Sequence, residues 1–393
     1  MIKEMGKLCA WTAAAAFCLQ MGAAVAAEIP VGVELPLTGH FAKQGLGQLR
    51  GIKIAVQAFN QASGGKDTIK LITIDNESQP AKSVAAVEKL ISEGVVAITG
   101  GYGSNVVGPA AQAADKLKIP YVSSGAIADS LTRQGMKYYF QILNTEGYSV
   151  PIVKLIDTLK IKSVSTVYST AESTSQLAKS TEKDLAAAGV KVMMHAFEPS
   201  TTDFTPIINK VRLQDRPDAI LMVGYQNDEI GIMRAAKVLK PKIKTLIGTY
   251  EVTVPEMVND NADLAQNVFG LSLLSFPAEF PTPDGKVFAK IHEDLFKGQD
   301  FSYIEEYGYA GAKVLFDAIG RVSAKGDKPT PDNLRAEIGK TDVDTVLGHI
   351  RFNSDGLNTE YMQHIGQIQG KKVVIVWPDN LATGKMVYPG LPW

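Results

Sequence analysis

Short turns rich in glycine, serine and tyrosine follow the apolar runs of this sequence, and such residues could bind a small ligand. In the first half of the chain these turns are 36–39, 100–105 and 123–126. Glycines let backbone N–H groups approach a ligand closely. Ser104 lies where a helix should begin, so its hydroxyl and the neighbouring N–H groups would face an anion. The alternative for Ser104 is a plain helix cap.

The corresponding turns of the second half carry tyrosines, which combine an apolar ring with a polar tip. They are Tyr168, Tyr225 and Tyr250, the last followed by Glu251. Each could also be an ordinary half-buried tyrosine at the end of a strand. The prediction of a binding site therefore depends on the shared location of these turns and not on any one residue.

Signatures of catalysis and metal binding are missing. The five histidines are scattered, with no two of them four residues apart, so no helical metal pair is formed. Gly45 and Gly47 match the first two glycines of a dinucleotide-binding loop. The third glycine would have to stand at position 50, but the next one is Gly51. Ser180 and Lys183 have the spacing of a penicillin-reactive serine, but they lie on an amphipathic helix pattern without the companion motifs. We expect no enzyme activity, no cofactor and no metal.

The first 27 residues have the layout of a secretory signal peptide. Lys3 and Lys7 precede an apolar run over 8–19, and small residues close the segment at 24–27. The run is too short to span a bilayer. Both cysteines lie inside the segment, and Phe17 before Cys18 argues against a lipid anchor. We expect cleavage near Ala27 and export to the periplasm.

Composition indicates a globular protein of two domains. The chain has 393 residues, of which 45% are hydrophobic and 21% charged, with a formal net charge of −1. No basic excess points to nucleic acid or to an anionic membrane surface. After the leader no apolar run reaches 18 residues, so we expect a protein that does not insert into membranes.

Strands and helices should alternate along the chain and so place these turns at one edge of each sheet. Buried parallel strands are predicted at 29–35, 69–75, 95–99, 119–123, 163–168, 190–196, 218–223 and 244–248. Helices are predicted between them and at 283–297, 305–323 and 331–339, and short strands at 268–274, 345–352, 361–368 and 371–376. Open parallel sheets bind ligands at the carboxyl ends of their strands. The pattern predicts an α/β fold of two doubly wound lobes.

The two lobes should be joined by short crossings near 143–146, 274–278 and 350–360, because no flexible linker is present. We predict one lobe from 28–144 with 276–350 and another from 145–275 with 351–393. Several short crossings favour a stiff hinge, so the lobes should open and close as rigid bodies.

Residues spread over nearly all of 29–377 resemble the branched-chain-amino-acid type of periplasmic binding protein. They include Pro36 to Gly39, Ala42, Gly45, Gly51, Asn60, Gly64-Gly65, Asp75-Asn76, Gly100, Ser104, Ile119-Pro120, Ser123 to Ala126, Leu131-Thr132 and Asp203-Phe204. The resemblance implies the type I fold with three crossings between its lobes. It also implies a ligand in the cleft and an inner-membrane ABC permease as partner.

The resemblance assigns ligand-binding positions one by one. In relatives that bind leucine-like ligands, the carboxylate partners fall at Ser104, Gly125 and Ile127, and a second-lobe tyrosine falls at Tyr225. The full set of candidate ligand-binding residues is Gln44, Tyr102, Ser104, Ser124, Gly125, Ala126, Ile127, Ser173, Tyr225, Tyr250 and Glu251.

Three positions depart from the pattern of leucine-binding relatives. Ile127 replaces a hydroxyl residue, Ser173 replaces a tyrosine, and Tyr250 stands where an acidic residue pairs the ligand's ammonium, although Glu251 is one step away. A buried ammonium without a carboxylate is unfavourable by several kcal/mol. The hypothesis is a small carboxylate ligand without an α-amino group, such as an aromatic acid. If Glu251 faces the cleft, an amino acid becomes the expected ligand.

The function that these features predict is capture of a small carboxylate, an amino acid or an organic acid, by a monomer that delivers it to the permease. The alternative is a ligand-binding sensor module of the same fold, which would normally be tethered to a signalling segment. An enzyme ranks third, because no nucleophile with a base in reach can be assembled from the sequence.

Overall fold

A computed structural model describes residues 27–249, 251–391 and 393. The predicted signal peptide therefore lies outside the described residues apart from Ala27, with which the first strand begins. Tyr250, one of the candidate site residues, also lies outside them.

Strands and helices alternate along the chain, as the apolar pattern predicts. The strands are β1 (Ala27–Leu35), β2 (Asp67–Asp75), β3 (Ile98–Gly100), β4 (Tyr121–Ser123), β5 (Tyr139–Gln141), β6 (Ser163–Ser169), β7 (Lys191–Phe197), β8 (Ala219–Val223), β9 (Thr245–Gly248), β10 (Phe269–Ser272), β11 (Asp342–Thr345), β12 (Gly348–Arg351), β13 (His364–Ile368) and β14 (Val373–Trp377). The helices are α1 (Ala42–Ala62), α2 (Pro80–Ser92), α3 (Ser104–Lys116), α4 (Glu146–Thr158), α5 (Glu172–Ala187), α6 (Thr205–Lys210), α7 (Gln226–Leu239), α8 (Pro255–Ala265), α9 (Pro283–Phe296), α10 (Tyr303–Ala324) and α11 (Pro331–Ile338).

Two large sheets form the centres of the two lobes. In the described part of the chain the first sheet has five parallel strands in the order β2-β1-β3-β4-β5. The second has seven strands in the order β14-β13-β10-β9-β8-β6-β7, parallel from β7 to β10 and antiparallel at β13 and β14. Strand β14, which ends in Trp377, is thus the outer edge of the second sheet. These lobes are the doubly wound type that the sequence predicts.

The helix α10 returns the chain to the first lobe and packs tightly against α1. A Cβ atom on Gly51 would lie 1.9 Å from the carbonyl oxygen of Glu305, and one on Gly308 would lie 2.1 Å from that of Gln48. The two backbones can approach so closely only because glycine has no side chain. This contact fixes the position of α10. Helix α10 carries Tyr303 and Tyr307, which face the space between the lobes.

Within the described residues the chain passes between the lobes over 142–145, 273–282 and 352–363. These segments lie at or next to the three predicted crossings. Helix α10 packs on β3 and β4 of the first sheet, with α9 against α1 and α11 against α10, and α4 to α8 belong to the second lobe. The exact lobe boundaries given by the sequence stay a prediction.

Some elements differ from the sequence prediction. Strand β5 and helix α8 were not predicted, because β5 has three residues and α8 carries a polar sequence with non-helical backbone at Asn261. The predicted strand 345–352 is instead the second half of a hairpin, β11–β12. No helix in the described ranges is both long and apolar enough to cross a membrane.

Candidate functional site

A small cavity lies between the two lobes, at the carboxyl ends of the parallel strands. Its cavity volume is about 10 Å³, about the room that one water molecule needs. Its lining residues are Tyr102, Gly103, Gly125, Ile127, Leu143, Tyr148, Ser173, Tyr225 and Tyr307. The set combines apolar surface with hydroxyl groups, and none of its members is an acidic or basic residue.

Several helices begin at this cavity, because helices that follow parallel strands start at the same edge of the sheet. Gly103 is the N-cap of α3, and Tyr225 is the N-cap of α7. Ser173 and Tyr148 lie in the first turns of α5 and α4. The amino-terminal end of a helix carries partial positive charge. The cavity is therefore electrostatically suited to an anion although it has no cationic side chain.

Ser104 stabilises the wall of the cavity in this structure. Its hydroxyl oxygen accepts hydrogen bonds from the N–H groups of Ile127 at 3.3 Å and Ala128 at 3.2 Å. These N–H groups already have a partner, and Ser104 is not among the residues that line the cavity. A direct role of Ser104 in ligand binding stays a prediction.

Two further candidates of the first lobe point away from the cavity. The Ser124 hydroxyl donates to the side-chain oxygen of Gln48 at 2.7 Å, and Ala126 is buried in a core cluster with Ile98 and Tyr121. The structure thus separates Ser124 and Ala126 from the residues that it brings together.

Tyr102, Gly125 and Ile127 are the first-lobe candidates that the structure places at the cavity. A Cβ atom on Gly125 would lie 2.5 Å from the carbonyl oxygen of Gly101 and 2.7 Å from the ring of Tyr102. Gly125 therefore allows the Tyr102 ring to approach the turn this closely. The side chain of Ile127 provides apolar surface.

Ser173 and Tyr225 form the second-lobe wall. Their hydroxyl oxygens are 3.1 Å apart, within hydrogen-bonding distance. Burial raises the pKa of Tyr225 to about 12, and the hydrogen bond with Ser173 opposes that shift. The Tyr225 ring packs edge-on against Phe41 at 5.3 Å and against His40 at 6.0 Å, both from the first lobe. The lobes are thus in contact across the cavity.

Gln44 and Glu251 meet beside the cavity. The Gln44 side-chain N–H donates to the Glu251 carboxylate at 2.7 Å, and the Tyr303 hydroxyl donates to the same oxygen at 3.4 Å. Glu251 is only 2% exposed, and burial raises its pKa. Both residues line a neighbouring, more open cleft with Lys43 and Glu256. Glu251 therefore lies between the lobes, but its carboxylate is hydrogen-bonded to side chains of the protein.

A buried hydrogen-bonded group at the hinge end of the cavity was not predicted. It consists of Tyr148, Tyr307, Tyr361 and Gln363, and we call it the hinge cluster. The Tyr148 and Tyr307 hydroxyl oxygens are 2.7 Å apart, and those of Tyr307 and Tyr361 are 2.8 Å apart. Gln363 donates to Tyr307 at 2.8 Å and to Tyr361 at 2.5 Å. The sequence offered little indication of this cluster, because a sequence pattern does not show which side of a helix faces the cleft.

The described residues do not bring together three histidine, cysteine, aspartate or glutamate side chains that could hold a metal ion. The cavity offers hydroxyl donors and apolar contacts. This arrangement can bind and orient a small molecule.

Comparisons with known proteins agree with this geometry. A family model described as periplasmic binding protein matches residues 28–372. The chain belongs to that family, which is a family of substrate-binding proteins, and its relatives are of the branched-chain-amino-acid type. The Leu/Ile/Val-binding protein homolog 8 of Brucella abortus (strain 2308) is 26% identical over 384 residues, covering 92% of this chain and 94% of the relative.

Solved structures with the same fold hold different ligands. The branched-chain amino acid transporter substrate binding protein LivJ of Streptococcus pneumoniae, in complex with isoleucine, is 22% identical, with a TM-score of 0.75 and coverage of 92% of this chain and 100% of that one. An ABC transporter solute binding protein of R. palustris, in complex with benzoate, is 18% identical, with a TM-score of 0.75 and coverage of 92% and 97%. At these identities the likeness establishes the fold.

Proposed function

We propose that this protein is the substrate-binding component of an ABC importer and captures a small carboxylic acid without an α-amino group, of the benzoate type, between its lobes. It is exported to the periplasm after loss of residues 1–27. The closed, liganded form then delivers the acid to an inner-membrane permease.

The observation that carries this proposal is the charge-free lining of the cavity. A carboxylate would meet hydroxyl donors and the amino-terminal ends of helices, both of which stabilise an anion. An ammonium group would meet no carboxylate among the lining residues, and burial of an unpaired charge is unfavourable by several kcal/mol. The tyrosine rings of Tyr102 and Tyr225 provide flat apolar surface for an aromatic ring.

An amino acid is the second candidate, because Glu251 is buried between the lobes only one residue from where an ammonium partner is expected. Its carboxylate now accepts from Gln44 and Tyr303. A ligand ammonium could replace the Gln44 donor if the Glu251 side chain turned toward the cavity. The Leu/Ile/Val-binding relatives and the isoleucine complex fit this alternative.

Titration calorimetry of the purified protein with benzoate, 4-hydroxybenzoate, leucine and isoleucine tests the proposal. We expect the aromatic acids to bind and to raise the unfolding temperature, because a ligand of the native state stabilises it by mass action. Tight binding of leucine or isoleucine together with no response to either aromatic acid would refute it.

The variant Glu251→Gln separates the two candidates. It should leave the affinity for an aromatic acid within about threefold, since the amide can still accept a hydrogen bond from Gln44 or Tyr303. Loss of amino-acid binding in this variant would instead establish Glu251 as an ammonium partner.

A further inference from the structure

A buried carboxyl group on α7 holds the chain where it leaves β9. Glu229 is fully buried, and its Oε1 accepts hydrogen bonds from the backbone N–H of Thr249 at 2.6 Å and from the Thr249 hydroxyl at 3.1 Å. The backbone N–H group of Glu251 interacts with the same carboxyl. Thr249 is also fully buried, so water does not compete for these hydrogen bonds. Glu229 therefore fixes the backbone from which the Glu251 side chain extends.

The surroundings of this carboxyl are closely packed. A Cβ atom on Gly248, the last residue of β9, would lie 2.2 Å from the side chain of Val252 and 3.3 Å from Oε1 of Glu229. On the other side, Glu229 lies one turn after Tyr225, the N-cap of α7 and a lining residue of the cavity. Glu229 thus connects the cavity wall with the backbone of Glu251.

Glu251 is the second-lobe partner in a buried contact between the lobes. Its carboxylate accepts from the side-chain N–H of Gln44 at 2.7 Å, and Gln44 lies in the first turn of α1. Both side chains are at most 8% exposed. A hydrogen bond weakens steeply when its distance and angle depart from the optimum. The backbone position of Glu251 therefore determines how well this contact forms as the lobes close.

We infer that Glu229 is a positioning residue, which places Glu251 for its contact with Gln44 and so stabilises the closed form. This inference rests on the proposed function, because it needs a ligand that is captured by closure of the lobes. Glu229 is not among the residues that line the cavity. Its effect on ligand affinity therefore arises from the population of the closed form.

Titration calorimetry with benzoate and small-angle X-ray scattering without ligand test this role in the variant Glu229→Met. Methionine keeps most of the side-chain volume but replaces the oxygen acceptors with a weakly accepting sulfur. We expect the affinity to fall by about fivefold to fiftyfold and the radius of gyration of the unliganded protein to rise. Glu229→Gln keeps an oxygen that accepts from Thr249, so its affinity should stay within about threefold of the original. Equal losses in both variants would overturn the inference.

Combining Glu229→Met with Gln44→Ala separates positioning from general loosening of the fold. If Glu229 acts through Glu251 and Gln44, the double variant should bind benzoate within about threefold of Gln44→Ala alone, because the contact is already lost. If the two residues act independently, the losses multiply, which would contradict a positioning role. Thr249→Val removes only the hydroxyl donor and provides the same test with a smaller change if Glu229→Met does not fold.

The matched control is Ser165→Ala, also in the second lobe. Ser165 is fully buried on β6, and its hydroxyl donates to the Asp215 carboxylate at 2.8 Å. Its removal should lower the free energy of unfolding by about 1 kcal/mol and leave both the benzoate affinity and the radius of gyration unchanged. An affinity loss in Ser165→Ala equal to that in Glu229→Met would mean that any lost hydrogen bond in this lobe weakens binding, and the inference would fail.

Failure of this inference is distinguishable from failure of the proposed function. If the unsubstituted protein binds benzoate, and Glu229→Met binds it equally well with the same radius of gyration, the role of Glu229 alone is wrong. If the unsubstituted protein binds no carboxylic acid, the proposed function fails, and scattering of the unliganded proteins still tests Glu229. An equal rise in radius for Glu229→Met, Gln44→Ala and the double variant supports the role, and an unchanged radius in Glu229→Met overturns it.

Discussion

At the scale of single residues, Glu229 is a buried carboxyl group that forms no ion pair within the part of the chain that the structure describes. Glu229, on α7, is fully buried, and its Oε1 accepts from the N–H group of Thr249 at 2.6 Å and from the hydroxyl of the same residue at 3.1 Å. Burial raises the pKa of Glu229 to about 8, although the hydrogen bonds from Thr249 oppose the shift. The native protein therefore keeps this group protonated at neutral pH.

The free energy of unfolding should fall as pH rises from about 4.5 to about 8 because of Glu229. In that range the unfolded chain has released this proton and the native protein retains it, so unfolding is favoured by about 1.4 kcal/mol per pH unit. Glu229→Gln should flatten this part of the profile. Urea titrations between pH 5 and pH 8 measure it, and Glu88→Gln, at an exposed position, should leave the slope as it is. Equal slopes in both variants would contradict the prediction.

The sequence identified part of the site because several of its residues lie in turns that directly follow parallel strands. Tyr102, Gly125, Ile127, Ser173 and Tyr225 follow parallel strands, and the topology brings such turns together. Ser104 and Ser124 follow strands too, but their hydroxyls have partners inside the protein. Packing in the folded protein determines the direction of a short side chain, so the sequence pattern alone does not predict it.

At the scale of elements, the contact between α1 and α10 determines where the first lobe presents its tyrosines. Gly51 and Gly308 bring the two backbones together. The sequence predicted both helices correctly from their apolar periodicity. It did not predict β5 and α8, because three residues are too few for a pattern and Asn261 interrupts the periodicity of α8.

Gly308→Ala should destabilise the protein by about 1–3 kcal/mol or more, because the new Cβ atom would lie 2.1 Å from the Gln48 carbonyl oxygen and force α1 away. Gly320→Ala is the matched control on the same helix. Its Cβ atom would meet nothing nearer than a Phe59 ring atom at 3.6 Å, so it should stabilise the helix by about 0.5–1 kcal/mol. Thermal or urea unfolding measures both, and similar losses in both variants would show that the close contact is not the cause.

For the molecule as a whole, the lobes are in contact across the cleft. Gln44 bonds to Glu251, and Lys43 pairs with Glu256 at 3.1 Å and donates to Gln226 at 3.0 Å. The Gln44–Glu251 hydrogen bond is buried, whereas the Lys43–Glu256 ion pair is about half exposed. Binding proteins of this architecture exchange between open and closed forms. For this protein we predict that these contacts stabilise the closed form only.

Gln44→Ala should shift the unliganded protein toward the open form, because closure would then bury the Glu251 carboxyl without its Gln44 donor. The expected difference of about 1–3 kcal/mol would weaken ligand binding by about fivefold to a hundredfold through the smaller closed population. Small-angle X-ray scattering should give a larger radius of gyration without ligand.

The exposed pair provides the control for this prediction. Lys43→Met removes an ion pair of a kind that contributes about 1 kcal/mol or less, so its affinity loss should stay below about fivefold. A Gln44→Ala protein with unchanged affinity and unchanged scattering would show that the buried contact does not govern closure.

The position of β14 at the outer edge of the second sheet has a consequence for optical assays. Beyond the predicted leader the chain has two tryptophans, Trp377 at the end of β14 and Trp393. Strands β13, β10 and β9 separate β14 from β8 and β6, after which Tyr225 and Ser173 follow. Indole emission should thus scarcely report occupancy of the cleft, whereas phenol absorbance should, because tyrosines line it. A ligand search that monitors tryptophan fluorescence alone would miss a genuine ligand.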